Sequence, residues 1–240
     1  MTNAQLMRCE HEYDVVFDND DLEEISSYLV ENFAGFDFLE LVVFIADFAK
    51  SNDLYFDSIA AGVKQQEFRM EWVAGEGSVY DFLLERTLLI RNQIKVAVHD
   101  MFTLPERLQG QGKAKIILQG FYKQYLASGV QYIEVLAGKT IGGYAWALYG
   151  FEAIDPIKVA EIIELGRAHR DITYEQSALH FKIFTDFYAV NSATTPFPMR
   201  ELATSPGGKA LLKGRNWNGV LDLQNLLKRE LFETYLGLAS

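Results

Sequence analysis

The chain is bounded first by what it has little of. One cysteine, Cys9, stands among 240 residues, so no intramolecular disulfide can staple the fold, and stability has to come from a packed core. Without a cationic environment beyond Arg8, Cys9 reads as a small buried apolar residue rather than a reactive thiol. No apolar run approaches the roughly 20 residues that a membrane-spanning helix needs. The most tempting, Leu41 to Ala46, is closed off by Glu40 and Asp47. The opening residues Arg8-Cys-Glu-His-Glu12 lack the basic-then-apolar order of a secretory signal. These absences lead us to expect a cytoplasmic protein with no membrane partner. Repeats and low-complexity tracts are also missing, and 49% apolar residues suffice for a core, which excludes disorder as the main state.

Positive charge is scarce in one region only. Residues 1–60 hold 14 Asp and Glu against Arg8 and Lys50, a balance of −12, while the whole chain carries −11. The acidity therefore belongs to the N-terminal segment, and the remainder is close to neutral. Nucleic acid is not an expected partner, because binding phosphate backbones requires a net basic surface. The plain account of the acidic run is a solvated face, and the sharper one is a docking surface for a protein partner. Metal chemistry is not expected: His11, His169 and His180 share no i, i+4 spacing, and one cysteine adds little. Nor is there a Gly-x-Ser-x-Gly elbow of the hydrolase type.

Periodicity sorts the chain into three parts. Glu12 to Phe17 alternates weakly, as a short strand would. Asp20 and Asp21 then suit a helix start, with Leu22, Ile25, Leu29 and Phe33 at helical spacing. After Ala34-Gly35 a second helix is predicted from Asp37, with Leu41, Phe44, Ile45 and Phe48 on one face, so the acidic segment 1–60 reads as a helical hairpin. The segment 61–155 opens with three predicted antiparallel strands, Phe68 to Val73, Val79 to Ile90 and Gln93 to Leu104, joined at Gly75-Glu-Gly77 and Arg91-Asn92. Thereafter loop, helix, strand and helix alternate, which marks an α/β layer. The segment 156–240 is expected to be a mostly helical extension completing the same globular unit. In it we predict helices from Pro156 to Arg167 and from Tyr174 to Tyr188, a long loop from Asn191 to Gly208, two short strands around Gly214 to Gly219, and a last helix from Asp222 to Leu236.

The most informative stretch runs from Leu104 to Lys115, where Gln109-Gly110-Gln111-Gly112-Lys113-Ala114 opens a helix. Glycines at a helix start let several backbone N–H groups face an anion, and the helix dipole adds to the attraction. Arg107, Lys113 and Lys115 supply local positive charge. The stretch is not a Walker loop, because Lys113 is followed by Ala114 rather than Ser or Thr. It is not the dinucleotide fingerprint either, because Lys115 stands where a third Gly or Ala is required.

Gln-x-x-Gly-x-Ala resembles the acyl-CoA pyrophosphate loop of the GNAT superfamily of N-acyltransferases, whose pattern is Gln/Arg-x-x-Gly-x-Gly/Ala. The likeness continues through Gly129 at the helix end, the strand Tyr132 to Ala137, and the pair Gly150-Phe151, covering roughly residues 67–155. With His99-Asp100 and Gly142-Gly-Tyr-Ala-Trp-Ala147 it is similar to a divergent branch of GNAT-like domains found in larger bacterial and phage-encoded proteins.

The resemblance implies a mixed α/β fold with a central sheet flanked by helices. It implies transfer of an acyl group, typically acetyl, from acetyl-CoA or another acyl-CoA to an amine whose identity stays open. Leu104, Gln109, Gly110, Gln111, Gly112, Lys113, Ala114 and Lys115 would hold the cofactor. In this family a Tyr before the Gly-Phe pair protonates the departing thiolate, and that position is filled here by Trp146, whose indole N–H is no acid near neutral pH. Tyr149, on the same helical face, is the substitute. His99 and Asp100, neighbours on the third strand and therefore on opposite faces, are the candidate bases, with Glu134 a third carboxylate. Parity sets Asp100 with Val96, Val98, Phe102 and Leu104, and a bulge in the strand would exchange the faces. The alternative is a GNAT-like interaction module that kept the loop and lost the acid, with the acidic N-terminus as its docking surface. Either could form a homodimer.

Overall fold

The computed structural model describes residues 1–18, 22–76, 79–138 and 141–238. Asp20 and Asp21, expected to open a helix, and Gly77, expected in a hairpin turn, lie outside the described residues. The chain is mixed α/β and divides into two compact units, Met1–Ile133 and Glu134–Ser240. The boundary falls inside the stretch 61–155 that the sequence groups as one core.

The first unit carries β1 (Val15–Phe17), β2 (Ser58–Lys64), β3 (Glu67–Glu76), β4 (Val79–Arg91) and β5 (Ile94–Thr103), side by side in that order. β1 runs parallel to β2, and β2 to β5 form an antiparallel meander. Two of its turns are made by residue pairs with positive φ, Gln65-Gln66 and Asn92-Gln93, as two-residue hairpins require when strands twist right-handedly. The second turn is one residue later than Arg91-Asn92. β2 was not anticipated, because Ser-Ile-Ala-Ala-Gly-Val-Lys has small residues where a strand signal wants bulk.

Three helices precede the meander: α1 (Asn3–Tyr13), α2 (Leu22–Asn32) and α3 (Phe38–Lys50). α1 replaces the N-terminal part of the strand expected from Glu12. A capping box between Thr2 and Gln5 starts it, and Asp14 in the left-handed region stops it. It buries only Leu6 and Cys9, so no apolar stripe announces it. Because α1 packs against both α2 and α3, the expected helical hairpin is a three-helix arrangement. The Asp37 side chain caps α3 by accepting from the Glu40 N–H at 3.0 Å.

α4 (Lys113–Ser128) completes this unit, and aromatic rings tie helices to strands. Phe38 of α3 meets Phe68 edge-on at 5.4 Å, and Trp72 of β3 meets Phe121 of α4 at 5.9 Å. The buried Gln124 amide joins the two helices. Its oxygen accepts from the Asp37 N–H at 2.8 Å and its nitrogen donates to Glu40 at 2.8 Å. At the turn between α2 and α3, Gly35 has φ +95° and approaches α4 so closely that a Cβ would lie 2.3 Å from the Ala127 carbonyl oxygen.

β4 and β5 are out of step at one point: Glu85 pairs with Met101 and Arg86 with His99, leaving Asp100 as the extra residue of a β-bulge. Cross-strand partners share a face, so Leu88 and Ala97, Arg86 and His99, then Leu84 and Phe102 all point toward the helices. Asp100 is pushed to the other side, where it accepts from the Thr87 hydroxyl at 2.8 Å. A bulge leaves backbone carbonyls without ladder partners, and Arg86 supplies them. Its Nη1 donates to the carbonyls of Glu85 at 2.6 Å and Met101 at 2.8 Å. The guanidinium is 1% exposed and lies over the rings of Phe102 and Phe121, at 5.5 and 5.3 Å.

The second unit holds most of β6 (Tyr132–Ala137), then α5 (Gly142–Leu148), β7 (Glu152–Ala153), α6 (Pro156–Ala168), α7 (Tyr174–Val190), α8 (Met199–Ala203), α9 (Gly208–Leu212), β8 (Trp217–Asp222) and α10 (Leu226–Leu236). β7 and β8 pair antiparallel. The expected loop from Asn191 to Gly208 is partly folded: Phe197 bridges to Ala153, and α8 follows. The two short strands expected around Gly214 to Gly219 are one helix, α9, and one strand, β8. The Leu211-Leu212 pair is buried as one turn of helix against α6 rather than in a strand. Trp217 is 2% exposed and donates its indole N–H to the Gly143 carbonyl at 3.1 Å, a packing anchor.

Replacing Arg86 by Met keeps volume and aromatic contact but removes both donors at the bulge. We expect the variant to be destabilised by about 2–4 kcal/mol, since two carbonyls lose their partners in a dry site. Urea unfolding measures this; a loss under about 0.5 kcal/mol would mean that the bulge does not depend on Arg86.

Candidate functional site

The loop from Leu104 to Lys115 is built by local rules. Pro105 leads into a single 3-10 turn, Glu106–Leu108, and Leu108 is the buried residue that pins it. Gly110 at φ +72° and Gly112 at φ +76° reverse the chain on to α4, and a Cβ at either would meet nothing within 4 Å. These glycines serve the backbone turn rather than a tight contact, so one side of the loop is open. The five consecutive N–H groups from Gly110 to Ala114 have no hydrogen-bond partner among the described residues, and no side chain caps α4. Helix starts leave such donors unsatisfied, and here a 16-residue helix stands behind them.

The side chains of the loop are largely turned inward to hold its shape. Gln109 donates to the Leu104 carbonyl at 2.8 Å, and Gln111 to the Arg107 carbonyl at 2.5 Å. Arg107, expected to add free positive charge, instead clamps the carbonyls of Asn52 and Asp53 at 2.7 and 2.9 Å. Lys113 and Lys115 remain half-buried at the first turn of α4.

His99 and Asp100 are separated by the bulge. Parity had set Asp100 among apolar neighbours; the structure puts it on the exposed side of β5 beside Thr87, and it is His99 that lies in the core. His99 is 4% exposed, with Nε2 3.1 Å from the Tyr125 hydroxyl. Burial, followed by the Arg86 charge, holds its pKa well below the ordinary imidazole range. Burial likewise raises the Tyr125 phenol and lowers Arg86 to about 10. His99 is therefore a neutral member of a core network with Tyr125 and Arg86. Glu134, on β6, is half-buried.

Tyr149 belongs to the second unit, at the C-terminal end of α5. Its ring stacks on Tyr235 with centroids 3.4 Å apart and meets Trp146 edge-on at 5.3 Å. Burial raises its pKa, and a hydrogen bond with Tyr235 opposes the rise. The phenol is thus protonated at neutral pH, as an acid must be, and packed among aromatic rings.

One arrangement in the second unit escaped the sequence. His180 of α7 is fully buried, and its Nε2 lies 2.7 Å from the Ser205 hydroxyl, just beyond α8. Ser205 lines a cavity of about 710 Å3 together with Tyr144, Thr204, Gly207, Lys209 and Lys213. Twenty-five residues separate the pair, and no local pattern links them. A serine on the last turn before a Pro-Gly-Gly is the only hint the sequence offers.

In comparison with known proteins, no family model and no curated protein matches this chain.

His99 makes stability depend on pH in a determined direction. Its folded pKa is depressed, so the unfolded chain binds the extra proton, and stability is lost as pH falls through about 6.5. We expect His99→Gln to lose about 1 kcal/mol less than the unaltered protein between pH 7 and 5.5. Urea midpoints at the two pH values check this, and equal losses would mean that His99 is not held neutral.

Proposed function

We propose that the chain is an acyl-CoA-dependent N-acyltransferase, transferring an acyl group, with acetyl the first choice, to an amine. The observation that carries this is the open row of backbone donors from Gly110 to Ala114 at the start of α4, set on the Gln-x-x-Gly-x-Ala pattern. Fixed N–H groups at a helix start bind pyrophosphate oxygens without the cost of ordering long side chains. The chain's near-neutral charge beyond residue 60 removes the repulsion an acidic body would offer an anionic cofactor.

Acetyl-CoA, or another acyl-CoA, supplies the thioester when bound. Gly110 to Ala114 hold its phosphates, with Gln109 and Gln111 keeping the loop in shape and Lys113 and Lys115 adding charge. Asp100 is the candidate base that reaches solvent. His99 orders the core rather than the substrate.

A second reading, a binding module that kept the loop without turnover, is favoured by Trp146 in the place of the family's acid. Acetyl-CoA separates the two. We expect saturating acetyl-CoA to raise the melting temperature by several degrees, and Gly112→Glu, which sets bulk and negative charge in the open loop, to abolish the shift. No shift with the unaltered protein removes the cofactor from the proposal, and an undiminished shift with Gly112→Glu removes the site. Binding without acyl transfer to any of a panel of primary amines selects the module.

A further inference from the structure

The second unit contains a pair of groups whose chemistry lies outside the proposal above. Ser205 Oγ sits 2.7 Å from His180 Nε2 and 2.7 Å from the Leu202 carbonyl. The hydroxyl has one proton and two acceptors, so it passes between a resting state, donating to Leu202, and an activated state, donating to His180. A nucleophile within hydrogen-bond reach of an imidazole is the geometric requirement for serine catalysis. His180 is 0% exposed, and burial lowers its pKa against the opposing effect of the Pro206 carbonyl, so the ring is neutral at pH 7 and able to accept a proton. Ser205 is half-buried and lines the cavity, so the nucleophile is accessible while the base is not. Solvent cannot protonate the imidazole directly, which keeps it available to the serine.

The cavity is large enough for a small metabolite. Its walls carry Lys209 and Lys213, and the Lys209 ammonium stands 6.0 Å from the centre of the Tyr144 ring. No ion pair involves either lysine among the described residues. Two cations without carboxylate partners and an aromatic face favour a ligand with a negative charge and an apolar portion.

The geometry points to a covalent acyl site in the second unit, with Ser205 as nucleophile and His180 as its base, taking a small carboxylic ester or thioester that bears an anionic group. In the first step Ser205 Oγ bonds to the acyl carbon while its proton passes to His180 Nε2. The bond from that carbon to the alcohol or thiol then breaks, and the leaving group takes the proton from His180. Water attacks the acyl-serine in the second step, giving up a proton through His180 to Ser205 Oγ, and the carboxylic acid departs. The net reaction is hydrolysis, without oxidant or reductant.

The test is labelling of the native, full-length protein by an alkyl fluorophosphonate, with the adduct located by peptide mass mapping. We expect one adduct, on Ser205, lost in Ser205→Ala and lost when the unaltered protein is first heat-denatured. No adduct, an adduct on another residue, or equal labelling after denaturation overturns the assignment. Mapping on the unaltered protein keeps the result decisive even where Ser205→Ala folds poorly. For the substrate class, 4-nitrophenyl hemisuccinate should exceed 4-nitrophenyl acetate in kcat/KM by at least about fivefold, and equal values overturn the anionic preference. Both measurements omit CoA, so their failure leaves the N-acyltransferase proposal standing, and the converse holds.

Discussion

The first unit is organised around a buried positive charge. Desolvation makes an arginine in a core costly, and hydrogen bonds to backbone carbonyls together with ring contacts offset part of that cost. Arg86 does this by standing in for a missing stretch of sheet. Its donors occupy the carbonyls of Glu85 and Met101 at the bulge, and its planar face is bracketed by Phe102 and Phe121. The carboxylates of Asp100 and Glu85 lie close enough to favour its charged form. Once the bulge is held there, the face of β5 changes sense at Asp100. Phe102 joins His99 against α4, and the carboxylate of Asp100 is left outside. The same bend decides how β5 runs into Leu104 and so where the loop before α4 begins.

Both units solve the helix-terminus problem, but not in the same way. Among the described residues five helix starts are capped by a side chain: Thr2, Asp37, Asp155, Thr173 and Asn225 each accept from a backbone N–H of the first turn. α4 begins instead at Gly112, with no side chain to offer, although it is among the longest helices. α5, α8 and α9 also start without a side-chain cap, but they are five to seven residues long, and α4 is the long helix whose first N–H groups are left to water or to a ligand.

The helices with a broad apolar stripe were legible from spacing alone: α2, α3, α4, α6 and α7 fall within a few residues of their predicted limits, and Gly129 ends α4 in the left-handed conformation. The meander from β3 to β5 was legible too, from alternation and turn residues. What escaped follows from the weakness of local signals. α1 buries two side chains and is set by its capping box, and β2 is too small in its side chains to stand out. α8 and α9 are five residues each, too short to show a period, and only their burial against α5 and α6 makes them helices. The loop from Gln109 to Lys115 could be found because its glycines and cations are contiguous. The faces of His99 and Asp100 depended on one extra residue in a strand, which spacing cannot locate. The pair of His180 and Ser205 is brought together by tertiary packing between α7 and the end of α8, and no window of sequence contains it.

Cys9, a small buried residue of α1, has 0% exposure, and burial pushes its thiol up to about 12. A thiol of that kind reacts with nothing in solution while α1 stays in place. Modification by a disulfide reagent must wait for α1 to lift away, so its rate counts those openings. Because the chain has no second cysteine to confuse the signal, it carries its own chronometer for the first helix of the acidic segment.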